Sequence, residues 1–236
     1  MRLVENSAGE SMAETIVKSF YLRTGKRWLD AMAALAGLII LSPLLLIAGL
    51  VVGATSRGSI FFRQERVGQH GRIFRIFKFR SMNESPSQVG ALLTAAGDSR
   101  ITPVGRMLRK TKIDELPQLI NVLVGEMSLV GPRPEVPKYV SSYTQRQKSV
   151  LLAKPGVTGP TANRYIREED LLAQQLDREA FYVNVLLPDK LEMDLQYCKR
   201  ITFSHDLKLM FTTFANIFVT IAQLDKPLPG TAPKQT

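Results

Sequence analysis

Two adjacent carboxylates, Asp114 and Glu115, stand in the stretch Lys112-Ile113-Asp114-Glu115-Leu116-Pro117-Gln118, with Arg106, Arg109 and Lys110 shortly before them. An acidic pair among cations suits phosphate chemistry. The cations neutralise an anionic substrate, one carboxylate can hold a divalent ion, and the other can attack phosphorus to give an acyl phosphate. The following residues, Leu116 to Val124, read as a short helix with Pro117 in its first turn and Gly125 as its stop. Both acids would then sit at a helix N-terminus, where the dipole favours anions by roughly 0.3–1 kcal/mol, so Asp114 is expected to be ionised. The competing reading is that Asp114 only caps the helix.

Further candidates lie elsewhere in the chain. Lys78 and Arg80, in Lys78-Phe79-Arg80-Ser81-Met82, are two residues apart and so share one face of a strand, where both could touch one diphosphate. The alternative is a solvated strand face. Pro132-Arg133-Pro134 holds a guanidinium between two rigid residues, so little entropy is lost when its fork is ordered on a phosphate. Asp206 precedes an apolar, helix-periodic segment and could cap that helix or orient a cation.

The elements that must position these residues are set by composition and pattern. At 236 residues with 45% hydrophobic content the chain can bury a real core, which excludes a wholly disordered protein. Its 31 Lys and Arg against 21 Asp and Glu give a net charge of +10, which implies an anionic partner: nucleic acid, a membrane surface or a phosphorylated substrate. Cys198 is the sole cysteine, and His70 and His205 are the only histidines, so an intrachain disulfide and a thiolate or imidazole metal cluster are excluded. Any metal must be held by oxygen, with Mg²⁺ the best match.

Ala31 to Val52 is an uncharged apolar run of 22 residues, about 33 Å as a helix, close to the hydrocarbon thickness of a bilayer. Ser42-Pro43 interrupts it: the proline removes a helical hydrogen bond and bends the chain, and the serine hydroxyl can bond a freed carbonyl. Cations flank both ends, so the positive-inside rule gives no clear orientation. A spanning helix, a re-entrant helix-break-helix and a buried core helix all fit this pattern. The leader is too long and the apolar core too extended for a signal peptide.

Elsewhere, aromatic and branched residues alternate with cations from Ser59 to Met82, with Gly68 and Gly71 between, which predicts a β-hairpin. Asn83 to Ser99 reads as a loop, and Thr102-Pro103 as the N-cap and first residue of a helix ending at Lys110 and carrying Arg106 and Arg109 towards Asp114. Met127 to Val130 is a strand candidate, Lys154 to Pro160 a Gly/Pro loop, and Arg167 to Val185 a charged helix. Leu207, Met210, Phe211, Phe214, Ile217, Phe218 and Ile221 form a broad apolar helix face, read either as domain core or as a surface for a membrane interface. The ends, 1–21 and 226–236, read as tails.

In order and spacing, five motifs resemble the bacterial sugar transferases, the small monotopic phosphoglycosyl transferases that start glycan assembly on a polyprenyl phosphate. They are the apolar helix broken at Ser42-Pro43, Phe62-Arg63-Gln64-Glu65-Arg66-Val67-Gly68, Lys78-Phe79-Arg80-Ser81-Met82, Asp114 through Leu123, and Met127 through Pro134. The resemblance covers roughly Lys26 to Phe218. It implies a mostly helical α+β catalytic domain over 57–225 with a short β-hairpin, anchored by a re-entrant segment over 22–56 and by interfacial amphipathic helices. It also implies the minimal form, without an added membrane bundle. Asp114 would be the nucleophile on the β-phosphate of a UDP-sugar, releasing UMP, and Glu115 the ligand of Mg²⁺. Lys78, Arg80, Arg109 and Arg133 would surround the diphosphate, and Asp206 would match a family acid of the site. Undecaprenyl phosphate would accept the phosphosugar at the cytosolic face of the bacterial inner membrane, among inner-membrane lipid; nucleic acid is not expected as a partner, and a homo-oligomer is compatible. Pro160-Thr161-Ala162-Asn163-Arg164-Tyr165 departs from the family's usual text, with Arg164 standing in for its usual arginine. The competing hypotheses from the residues alone are a membrane-tethered nucleic-acid-binding protein and a non-catalytic membrane scaffold.

Overall fold

The computed structural model describes residues 21–83 and 92–222; the expected C-terminal tail, the expected N-terminal tail up to residue 20 and part of the loop after Asn83 lie outside the described residues, whereas Tyr21, expected in the tail, is held in the fold. The chain is mostly helical, with a two-stranded antiparallel sheet and a short parallel pair, an α+β arrangement. Helix α1 (Lys26–Ile40) and helix α2 (Ser42–Thr55) meet at a 63° bend. The bend has the expected cause: Pro43 lies in the first turn of α2, and Ser42 Oγ donates to the carbonyl of Ile39 at 2.7 Å. Among the described residues no single helix is long and apolar enough to cross a membrane, whereas the bent pair together has the length and composition.

Strands β1 (Phe61–Val67) and β2 (Ile73–Phe79) form the expected hairpin, in a register running from Phe61 opposite Phe79 to Val67 opposite Ile73. The turn between them uses positive φ at His70 and Gly71. Along β2, Phe74 and Ile76 are buried on one face while Ile73 and Arg75 are exposed, as period-two alternation requires. Helix α3 (Pro103–Lys110) starts as expected: Thr102 Oγ1 accepts from the Gly105 N–H at 2.8 Å. A Cβ at Gly105 would lie 1.9 Å from the Ser81 carbonyl oxygen, so this glycine lets α3 press directly on the end of the hairpin.

Helix α4 is Gln118–Val124, with Pro117 at its N-cap and Gly125 in the left-handed conformation at its end. It is shorter than the expected 116–124 because Ile113–Glu115 forms a separate 3₁₀ turn. Strand β3 (Ser128–Val130) pairs in parallel with β4 (Gly156–Thr158), so the stretch expected as a Gly/Pro loop contains a strand. Glycine permits this pairing: a Cβ on Gly156 would come within 2.1 Å of the Gly131 nitrogen.

Helices α5 (Pro160–Arg164) and α6 (Glu168–Ala173) follow, and the expected helix over 167–185 breaks into α6, a turn at Arg178–Phe181 and a π-type turn at Tyr182–Leu186. Helix α7 (Leu187–Cys198), signalled in the sequence only by the four-residue spacing of Leu187, Leu191 and Leu195, is deeply buried: these leucines and Tyr197 all face the main core. Helix α8 (Phe203–Ala222) has the expected apolar face, but that face is not core, since Phe211, Phe214 and Phe218 are well exposed, Phe218 by 70%.

α1 is built into the domain. Ala34 packs with Phe74, Ile76, Leu119, Val122 and Met127, and Arg27 donates to the carbonyls of Val122 (2.6 Å) and Leu123 (2.7 Å), capping the end of α4. Asp30 accepts from the Leu129 N–H at 3.1 Å, on β3.

Asn121, fully buried in α4, ties this helix to β2. Its Oδ1 accepts from the Phe77 N–H at 2.9 Å, and its Nδ2 donates to the Arg75 carbonyl at 2.9 Å and to Glu126 Oε2 at 2.7 Å. It stands in for a missing neighbouring strand. Asn121→Ala strands a buried donor and a buried acceptor, so chemical denaturation should show a loss of about 2–4 kcal/mol; a loss below about 0.5 kcal/mol would refute this role.

Candidate active site

Lys112 adopts the left-handed conformation (φ 58°, ψ 14°) at the end of α3, an uncommon choice for a non-glycine residue. That reversal throws the chain into the 3₁₀ turn and sets Asp114 and Glu115 against the end of β2. Both are buried, Asp114 to 4% exposure. Glu115 Oε1 accepts from Lys78 Nζ at 2.7 Å and from Arg133 Nη2 at 3.0 Å. Three separate stretches, β2, the 3₁₀ turn and the Pro132–Pro134 turn, are thereby joined at one oxygen.

The two acids differ in their electrostatics. Burial disfavours ionisation of Glu115, but the charges of Arg133, Lys78 and Lys112 outweigh it and hold this carboxyl well below the usual range. Asp114 is pushed up to about 6, first by burial and also by the neighbouring Glu115 charge, against the pull of Lys78, Lys112 and Arg109. The expected ionisation at neutral pH stands, but the helix N-terminus is not its cause: Asp114 lies in the 3₁₀ turn, and desolvation raises its proton affinity. Its Oδ1 is buried without a hydrogen-bond partner among the described residues.

Asp114 lines a cavity of about 1600 Å³. Lys78, Arg80, Arg109, Arg133, Asp114 and Glu115 all line it, so the structure brings these six sequence candidates together. Arg109 is held there by Glu169 and by Ser81 Oγ at 3.3 Å. Arg80 is engaged differently from a free phosphate binder: its Nη2 donates to the Ser56 carbonyl at 2.6 Å and to Ser56 Oγ at 2.9 Å, closing the end of α2. Arg106 is exposed. Arg164 is exposed at the end of α5, while Thr161, Ala162 and Tyr165 of the same segment line the cavity.

Asp206 is neither a helix cap nor part of the cavity lining. Thr202 Oγ1 takes the capping place, accepting from the His205 N–H at 3.2 Å. Asp206 is buried and accepts from Tyr21 Oη (2.7 Å), Tyr197 Oη (2.8 Å) and Lys26 Nζ, which fastens the start of α1 to α7 and α8.

Sequence reasoning missed the buried polar network behind Arg133. Glu135 accepts from Tyr182 Oη and lies 3.6 Å from Lys190 Nζ and 3.7 Å from Arg66 Nη1, while Lys190 also reaches Glu168 at 3.1 Å. Arg66 Nη1 donates to the Pro134 carbonyl at 3.1 Å, which steadies the turn that carries Arg133. The one signal available was position: Glu135 directly follows Pro132-Arg133-Pro134.

Among the described residues no group of three or more His, Cys, Asp or Glu is arranged to hold a metal. Mg²⁺ asks for less, since one or two carboxylates suffice when substrate phosphates and water complete its shell. The unpartnered Asp114 Oδ1 beside Glu115, whose described cationic partners both take Oε1, fits that pattern.

A buried carboxylate pair in a cation-lined cavity, beside a bent apolar helix pair, is an arrangement suited to an anionic ligand next to an apolar surface. A sequence model for the bacterial sugar transferases matches residues 21–220, and the chain belongs to that family. It is 37% identical to a UDP-N-acetylgalactosamine-undecaprenyl-phosphate N-acetylgalactosaminephosphotransferase of Aeromonas hydrophila, over 67% of this chain and 38% of that protein. It is 35% identical to the UDP-glucose:undecaprenyl-phosphate glucose-1-phosphate transferase of Escherichia coli K12, over 84% of this chain and 41% of the relative. An uncharacterized sugar transferase of Bacillus subtilis is 37% identical, over 83% of this chain and 88% of its own length. The chain thus spans about two fifths of the first two relatives and most of the third.

The contrast between the acids is measurable. Infrared difference spectra should contain one carboxyl titrating near pH 6 that disappears in Asp114→Asn. Lys78→Met removes the largest charge favouring the Asp114 anion and should move that titration upward. Absence of any carboxyl that titrates between about 5 and 7 and is lost in Asp114→Asn would contradict the assignment.

Proposed function

We propose that this chain is a membrane-associated phosphoglycosyl transferase that moves a sugar-1-phosphate from a UDP-sugar to undecaprenyl phosphate. The observation that carries the reading is Asp114: buried, largely anionic at neutral pH, and lining one cavity together with Lys78, Arg109 and Arg133. The names of the relatives supply the substrate classes.

In this reading an Asp114 oxygen attacks the β-phosphorus, and the bond from that phosphorus to the oxygen bridging it to the α-phosphorus breaks. UMP leaves with the bridging oxygen, and the sugar-phosphate stays on Asp114 as an acyl phosphate. A phosphate oxygen of the prenyl acceptor then attacks the same phosphorus and frees the aspartate carboxylate. Arg133 and Lys78, fixed on Glu115, offer positive charge with little reorganisation as negative charge builds on the phosphoryl oxygens. Glu115 would hold Mg²⁺, which when bound neutralises the diphosphate. The product would be the lipid-linked sugar that opens polysaccharide or other glycan assembly.

The same reading places the bent α1–α2 pair as a re-entrant anchor in the cytosolic leaflet of the bacterial inner membrane, with α8 at the interface. Exposed Ile39, Ile40, Leu46 and Leu50 on the pair, and the open aromatic face of α8, support it. Such an anchor keeps a soluble nucleotide sugar and a lipid phosphate at one boundary.

Purified protein mixed with Mg²⁺ and a panel of labelled UDP-sugars, without lipid, should release a stoichiometric burst of UMP and retain label on Asp114. Asp114→Asn should reduce turnover by about 10³-fold or more, and Arg133→Ala by about 10²-fold; an active Asp114→Asn enzyme would remove the nucleophile. For topology, Thr24→Cys and Ser59→Cys should both react with an impermeant thiol reagent only from the cytosolic side. Reaction from opposite sides would eliminate the re-entrant arrangement.

A further inference from the structure

Three cations of the cavity are held by two carboxylates in different settings. Lys78 and Arg133 share Glu115, whose side chain is only 11% exposed, so releasing them would strand a buried anion. Arg109 is paired instead with Glu169 on α6, whose side chain is 37% exposed and also lines the cavity. A carboxylate so placed can turn into water at little cost. Its backbone meanwhile stays fixed: the Glu169 carbonyl accepts from the Ala96 N–H at 2.9 Å, and the adjacent Glu168 accepts from Lys190 at 3.1 Å. Release of Arg109 therefore asks for no more than a swing of the Glu169 side chain.

The contact itself invites exchange. Arg109 Nε, at 3.1 Å, and Arg109 Nη2 both donate to one oxygen, Glu169 Oε1, while Nη1 donates to Ser81 Oγ at 3.3 Å. Nε and Nη2 form one edge of the guanidinium, and a phosphate group meets such an edge with two oxygens, one for each nitrogen. Glu169 thus occupies the edge that a phosphate would take, in a poorer two-to-one contact. Arg109 is also near enough to Asp114 for its charge to favour the anion there. We propose that Glu169 is a displaceable counter-ion, which holds Arg109 in the empty cavity and yields it to a phosphate of the incoming nucleoside diphosphate sugar. The proposal rests on the transferase reading above. It makes Glu169, which stands outside all five motifs, a residue that sets donor affinity without touching the reacting atoms. The carboxylate lowers that affinity, and in return the empty cavity never holds Arg109 unpaired.

The test uses the full chain in lipid nanodiscs, with Mg²⁺ held constant and UDP as the probe. Glu169→Gln keeps the shape of the side chain and removes its charge, and Glu169→Ala removes both. Each should bind UDP about threefold more tightly than the wild type at low salt, with the gain shrinking as salt is raised. The wild type supplies a second readout: in infrared difference spectra, UDP should shift a carboxylate band that is missing from Glu169→Gln, as an anion leaving an ion pair requires. Unchanged or weaker UDP binding in both variants would make Glu169 a permanent brace for Arg109 and overturn the exchange, leaving the transferase reading intact. A Glu169 band that stays in place when UDP is added would do the same. A wild type that binds no UDP would overturn the transferase reading, and this one with it.

Discussion

The ion pairs at Glu115 are the interaction on which the site depends. A carboxylate taken out of water is costly unless charge and hydrogen bonds replace its hydration, and here Lys78 and Arg133 both bind one of its oxygens. The arrangement works in both directions. It keeps Glu115 anionic, and it prevents two cations from spreading into solvent, so the cavity has a fixed positive wall before any substrate arrives. Behind it, Glu135, Lys190, Arg66 and Tyr182 repeat the motif at greater depth and keep the Pro132–Pro134 turn from shifting. Removing either partner of such a pair leaves an uncompensated buried charge, which is more damaging than losing the pair's own attraction.

Asp114 has the opposite balance. Among the described residues it gains no direct ion pair and carries the desolvation cost with an unpaired oxygen, which raises its proton affinity. A carboxylate whose hydration has been removed and only partly replaced is a stronger nucleophile than one neutralised by a bound cation. Neighbouring residues of similar chemistry thus acquire different tasks because of what surrounds them.

Local signals were legible in the sequence wherever one residue type has one job. Thr102 and Pro103 mark a helix start, Gly125 marks a stop, Ser42 and Pro43 mark a bend, and alternation from Phe61 to Phe79 marks a hairpin; all four are observed. What was not legible depends on partners far along the chain. Gly156 reads as loop until Gly131 is seen to lie against it. Asp206 reads as a cap until Lys26, some 180 positions away, is found on it. The burial that raises Asp114 is likewise a tertiary property, with no local sequence signature. Arg80 and Arg164 stand in different settings that the motifs do not distinguish: one is bonded to Ser56 while it lines the cavity, the other is exposed.

The footing of α1 carries a consequence for how the molecule can be divided. Ala34 is fully buried against β2 and α4, Arg27 caps α4, and Asp30 serves a strand N–H on β3. These ties come from the same helix whose far end joins the apolar bend, so the bent apolar pair and the elements around Asp114 share one cooperative unit. Cutting the chain after the bend to obtain a water-soluble fragment would take away part of the core and the partners of three backbone groups, the carbonyls of Val122 and Leu123 and the N–H of Leu129. Solubility would therefore have to be sought on the outward apolar faces of α1 and α2, where exchanges leave the inward face of α1 whole.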